Sequence, residues 1–292
     1  MTTSSTSITS LQAVKRYLRL TTTDDDRLLT ELLDSATNRI EQFCQRTFIT
    51  KTYKQFISGS GTSTLSLPNY PVTAIRRLAW SRENAISVTA STASDLRATV
   101  EVQDNQIVLK RWDSSGTEVE TSLTFASYPT TSLMATQITA TTGFTATANA
   151  TVLCDELMRQ GGQDALTSSG QLYYLDSTDA DYRVDEDTGR IDLLSSQSES
   201  QWFPFDPNAV SFPRGSHNVF VDYTAGYTQN VDVPMALQEV AWELTSFAYN
   251  GGKHDPTVAS ESLDGYSYST RSAVELRDDQ MERMYPYRRN AE

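Results

Sequence analysis

Cysteine and histidine are nearly absent. Only Cys44, Cys154, His217 and His254 occur in 292 residues, so there is no disulfide framework and no zinc-binding spacing. A Ser–His–acid relay needs a base set against a hydroxyl, yet both histidines fall in polar, loop-like stretches without a nucleophile elbow. Phosphate-cradling loops are missing too. Gly161-Gly162, Gly251-Gly252, and Gly59 with Gly61 match no phosphate-cradling pattern with its lysine and read as turns and helix stops. No apolar run approaches bilayer-spanning length, and residues 1–9 are Ser/Thr-rich without the basic-then-apolar order of an export signal. The expectation is a soluble chain of a reducing cytoplasm, with no membrane partner. Basic charge is scarce as well: 24 Lys and Arg stand against 37 Asp and Glu, and the formal charge of −13 disfavours a grip on nucleic-acid phosphates.

Carboxylates are plentiful, and each cluster is open to a chemical reading. Asp185 and Asp187 fit positions one and three of a calcium loop, but Gly189 comes one residue early and no bidentate Glu follows, so a solvated turn is expected. Asp155-Glu156 is an acidic pair of the kind used in acid–base chemistry, with no flanking pocket motif, and reads as charged surface. No catalytic residue, no cofactor and no metal ligand is assigned, and the chain is expected not to be an enzyme. Trp80 and Trp242 lie within apolar patterns and are read as core.

Periodicity supplies the architecture. Leu28, Leu29, Leu32, Leu33, Ala36, Ile40, Phe43 and Cys44 recur at helical spacing and predict a long amphipathic helix over 24–46, with Thr23 as its N-cap and Asp24 to Asp26 at the positive end of its dipole. Ser10 caps a shorter helix over 11–18 through Leu11, Val14 and Leu18. Pro234 opens a helix over 234–250 with two apolar stripes: Leu237, Val240, Ala241, Leu244 and Ala248 make one, and Met235, Trp242 and Tyr249 make a second at seven-residue spacing. A polar loop over 253–268 then leads to a last helix over 273–284, closed by Pro286.

Between the helices the period turns strand-like. Residues 47–57, a Gly59-Ser60-Gly61 turn, and Leu65 with Leu67 predict a hairpin, and 72–80 a further extended segment. From 84 to 170 the composition shifts to Thr, Ser and Ala. Short strands are expected at 99–102, 106–109 and 122–125 and a helix at 131–140, while Trp112, Phe125, Tyr128, Phe144 and Leu153 supply something to bury. Strands at 171–175 and across 181–194, with Gly189 in the intervening turn, precede a proline-bearing aromatic loop over 202–213 and an alternating strand at 218–223. The fold class expected is α+β: a small helical bundle with β-hairpins, in which 1–83 plus 171–292 form one discontinuous core and 84–170 an inserted β-rich module. The hydrophobic share of 38% suffices to bury it.

The ordered set of Leu11 to Leu20, Asp24-Asp25-Asp26 with Leu28-Leu29, Arg46-Thr47-Phe48 and Pro71-Val72-Thr73-Ala74-Ile75 resembles the head-to-tail connector (adaptor, head-completion) proteins of tailed bacteriophages. Asp187-Thr188-Gly189-Arg190-Ile191, Val221 to Tyr227, Val233-Pro234-Met235-Ala236-Leu237 and Ser260-Glu261-Ser262 continue the resemblance, which covers roughly 11–81 and 171–268. It implies a structural virion protein, assembled in the host bacterial cytoplasm and resident at the head–tail junction. In that family the subunits form a ring, by analogy of 12, under the portal; the ring extends the DNA channel, lets DNA pass without specific binding, and gives tail or neck proteins their platform. The C-terminal portion of such adaptors engages the portal, which singles out Arg283, Tyr285, Tyr287, Arg288 and Arg289 as candidate portal-docking residues. Met235, Trp242 and Tyr249 are the candidate subunit contacts. The alternative is a neck or tail binding module whose inserted domain attaches fibres or surface glycans.

Overall fold

The computed structural model describes residues 7–177, 181–194, 211–229, 231–251, 260–263, 266–269 and 276–289. After α1 (Leu11–Leu18) and α2 (Asp26–Cys44) come β1 (Lys51–Gly59), β2 (Thr64–Ser66), β3 (Val72–Ala90), β4 (Arg97–Val102), β5 (Gln106–Trp112) and β6 (Glu118–Thr124). Then α3 (Thr131–Ala140) precedes β7 (Phe144–Ala148), β8 (Gln160–Asp164), β9 (Gly170–Ser177), β10 (Tyr182–Asp185), β11 (Arg190–Leu193) and β12 (Gly215–Ala225). Last come α4 (Met235–Gly251), β13 (Ser260–Leu263), β14 (Tyr266–Ser269), and α5 (Asp278–Met284) with a 3-10 turn at Tyr285–Tyr287. The architecture is α+β, with the strands in antiparallel sheets.

α2 is shorter than its period predicts. Thr23 does not cap it: Asp25 holds that position without a side-chain cap bond, and its carboxylate instead accepts the Tyr249 hydroxyl. An acid at the first turn has been drawn into a tertiary contact. Leu29, Leu33, Ala36, Ile40 and Cys44 are buried, whereas Leu28 is 46% exposed and lies outside the stripe. Their partners are Val14 of α1, Leu237, Val240, Ala241 and Tyr249 of α4, and Met284 of α5, which together form the helical core.

Two sheets share the strands next to that core. The larger orders β1-β12-β3-β7, with β9 also pairing β3; a second orders β10-β11-β2. The hairpin expected from 47–67 does not form, because β1 pairs β12 and β2 pairs β11. The Gly59 turn is real but delivers the chain to another sheet, whose partners lie more than a hundred residues downstream. Gly226 (φ +117) is fixed by close approach: a Cβ there would come within 2.7 Å of the Ile49 and Thr50 backbone. Gly189 takes the positive φ (+70) expected in the β10–β11 turn. Buried Tyr53, Val72, Leu78, Ile191, Phe212, Val221 and Tyr223 form the core of this region.

β3 is the longest strand, at 19 residues, and residue 84 falls inside it. Its first half pairs β12; its second half pairs β9 on one side and β7 on the other. Beyond it, a four-stranded sheet in the order β6-β5-β4-β8 and the helix α3 close over a separate apolar cluster that includes Ile86, Val100, Leu109, Met134, Ile138 and Phe144. The strands expected at 99–102, 106–109 and 122–125 and the helix at 131–140 are all present.

Two C-terminal expectations need correction. The polar loop of 253–268 contains the β13–β14 hairpin, with Leu263 opposite Tyr266. The last helix begins at Asp278 rather than 273, since the Gln280 side chain reaches back to accept the Arg277 N–H at 3.2 Å and so marks its start. Pro286 sits within the 3-10 turn that extends it. The 202–213 loop falls almost wholly outside the described residues, as does His254.

Candidate functional site

On the helical core, one carboxylate gathers three donors from the C-terminal segment. Glu243 of α4 accepts from Arg277 Nη2 at 2.7 Å, Gln280 Nε2 at 2.8 Å and Arg283 Nη2 at 2.8 Å. Arg283 also bridges Asp279 at 3.2 Å and approaches Glu239 at 3.7 Å. Burial pushes the Glu243 carboxyl up, but the Gln280 and Arg283 hydrogen bonds and the two arginine charges outweigh it and leave the group below its ordinary 4.5. A lowered folded-state value means that this contact stabilises above pH 4.5 and is lost as the pH falls through the lower folded value. Hydrogen exchange should therefore show the 278–284 amides losing protection in that acid window. Glu243→Gln should lower their protection at neutral pH and flatten the acid dependence; an unchanged profile would remove Glu243 from the role.

Beyond α5 the chain lies against the end of α2. Met284 is fully buried, the Tyr285 ring meets Phe43 edge-on at 5.6 Å, and the Arg289 N–H donates to the Cys44 carbonyl at 2.8 Å, satisfying one of the orphan acceptors of that helix end. Arg288 places its guanidinium 5.9 Å from the Phe43 ring, and its carbonyl accepts the Tyr70 hydroxyl at 3.4 Å. A groove of about 490 Å³ runs past Tyr70, Asp185, Asp187, Pro286 and Arg289. Of the five candidate docking residues, Arg283 is committed to Glu243 and Tyr287 is half-buried; Tyr285, Arg288 and Arg289 are exposed together.

The stripe of Met235, Trp242 and Tyr249 is not held as one free face. Met235 is 59% exposed. Trp242 donates its indole N–H to Thr9 Oγ1 at 3.0 Å and lies 5.9 Å from the Tyr17 ring. Tyr249 is buried on Asp25. A seven-residue repeat drifts by about 20° per step on a straight helix, so successive members turn from solvent toward the neighbouring helices. Tyr17, 49% exposed and adjoining Trp242, was not singled out because it stands off the apolar face of α1.

The groups read for chemistry are accounted for structurally. Burial pushes the Cys44 thiol up to about 11 and the Cys154 thiol up to about 12. Asp155 pairs with Lys54 at 2.7 Å and Glu156 with Arg77. His217 Nδ1 is 2.8 Å from Ser216 Oγ on an exposed stretch of β12. Among the described residues no carboxylate bridges that histidine, and no three His, Cys, Asp or Glu side chains gather as metal ligands. No described helix is long and apolar enough to cross a membrane.

Among curated proteins none matches the sequence. One similar solved structure is the neck of an empty GTA particle computed with C6 symmetry, at 13% identity over 97% of this chain and 91% of that one, with a TM-score of 0.43. Residues 8–110 match the family profile described as phage gp6-like head-tail connector protein. The match takes in α1, α2 and the chain through most of β5, so it runs past residue 81, where the first stretch of the resemblance stated above ends, and into the 84–170 region, and it leaves the quoted motifs from 187 onward outside it. Over residues 8–110 the chain is thus similar to the phage gp6-like head-tail connector proteins.

Proposed function

We propose that the chain is a structural subunit of a phage neck: a ring-forming adaptor, by family analogy twelve-membered, that sits beneath the portal, continues the DNA channel without gripping DNA, and offers the tail its platform. The connector match over 8–110 carries this reading. The net charge of −13 agrees with a conduit that lets a polyanion pass. The 84–170 region, with its own apolar cluster, is read as a module joined to the connector core, its first part (84–110) lying within the connector match. The portal-docking surface is then narrowed to Tyr285, Arg288 and Arg289, exposed aromatic and arginine side chains of the kind that dominate interface energetics.

Purified protein should bind portal complexes. Tyr285→Ala with Arg288→Glu and Arg289→Glu leaves Met284 and the Glu243 contacts in place, and is expected to weaken portal binding by about tenfold or more. Portal binding unchanged by this triple variant would remove the segment from the interface; no portal binding by the wild-type chain would overturn the adaptor reading.

A further inference from the structure

A ring of identical subunits joins two different surfaces of the same chain, so every subunit carries both halves of the joint. This rests on the ring reading above. In a chain of charge −13, acidic faces repel one another, and the joint calls for basic side chains not already spent inside the subunit.

α1 offers such a face. Lys15 is spent on Asp26 at 2.6 Å, whereas Arg16 and Arg19 are exposed and bridge to no carboxylate among the described residues. With Gln12 they line an open hollow of about 510 Å³. Exposed carboxylates with no cation bound to them lie in the β10–β11 turn. Asp185, Glu186 and Asp187 are exposed and make no ion pair among the described residues, and Asp185 and Asp187 line the groove shared with Arg289. Arg190, on the same groove, is taken up by Asp192 at 2.7 Å.

The two faces lie at opposite ends of one rigid element. The Lys15–Asp26 pair ties α1 to the first turn of α2, and the Arg289 N–H ties the groove to Cys44, its last residue. At 1.5 Å per residue, Asp26 and Cys44 are about 27 Å apart along the axis. A subunit built this way meets one neighbour through α1 while its acidic turn stays open to the other.

We propose that Arg16 and Arg19 of one subunit dock against the Asp185–Asp187 turn of the next copy of the chain, forming a head-to-tail electrostatic joint. The test uses the full chain in sedimentation at low and high salt, with circular dichroism confirming that each variant is folded. Arg16→Glu/Arg19→Glu and Asp185→Lys/Asp187→Lys should each weaken self-association by about tenfold or more, and salt should weaken that of the wild type. Mixed in equal amounts, the two variants present matched charges at both joints and should assemble as alternating subunits; the four-site variant should assemble alone. Unaltered assembly of either variant, or loss in both without rescue by mixing, overturns the joint. The second outcome points to separate partners instead, an anionic one on α1 and a basic one on the turn. A wild-type chain that stays monomeric at every concentration and salt overturns the ring reading itself, and the joint with it.

Discussion

Leu33→Asp is expected to leave the chain without a stable fold. Leu33 is 2% exposed within the cluster that joins α1, α2, α4 and α5. Truncating a buried leucine alone costs about 2–5 kcal/mol, and the aspartate adds an unpaired charge in an apolar site, against a total stability of roughly 5–15 kcal/mol for a domain. Leu28→Asp, five residues earlier at a position 46% exposed, is expected to change stability by no more than about 0.5 kcal/mol. Thermal melts of the two variants decide the matter. A cooperatively folded Leu33→Asp chain that fails only in assembly would move the stripe from the core to a subunit interface.

Arg77→Ala is expected to cost about 3 kcal/mol and to loosen the 154–156 turn from the sheet beneath it. Arg77 of β3 pairs with Glu156, donates to the Leu175 carbonyl at 2.6 Å and to Ser177 Oγ at 3.2 Å, and lies 5.6 Å from the Phe220 ring. The side chains are 19% and 11% exposed, so removing the cation strands a largely desolvated carboxylate. Arg77→Met combined with Glu156→Leu removes both charges and should recover much of the loss, because two apolar groups demand no partner. Urea unfolding of the single and double variants measures this; a single variant within about 0.5 kcal/mol of wild type would show that the pair is solvated and adds little.

The helices were legible wherever local chemistry sets them. Ser10 caps α1 as its position predicts, and α3 has the predicted bounds. What escaped was pairing over long separations. Nothing in 51–59 announces that its partner is 215–225, because strand periodicity states which face is buried and not which strand lies alongside. The β13–β14 hairpin escaped for another reason: Asp264-Gly265 is a two-residue hairpin signal, but it stands among Ser, Glu and Tyr without the apolar alternation that marks a strand. At the C-terminus the sequence left open which of Arg283 and Tyr285 is spent internally. That depended on Glu243, forty residues away, whose three donors converge only in the folded chain.

Ser81 of β3 lies opposite Asp176 of β9, and the antiparallel ladder continues outward from there to Val88 and Gly170. Everything between those two strands is, topologically, the tip of one hairpin that has grown into a folded unit. Its base is two hydrogen-bonded strands rather than a pair of linkers, so torque applied at the tip reaches β12, in the interior of the sheet, through the backbone of β3 without a swivel. A tight turn joining Arg82 to Leu175, which already face each other across that ladder, would restore the hairpin in its shortest form.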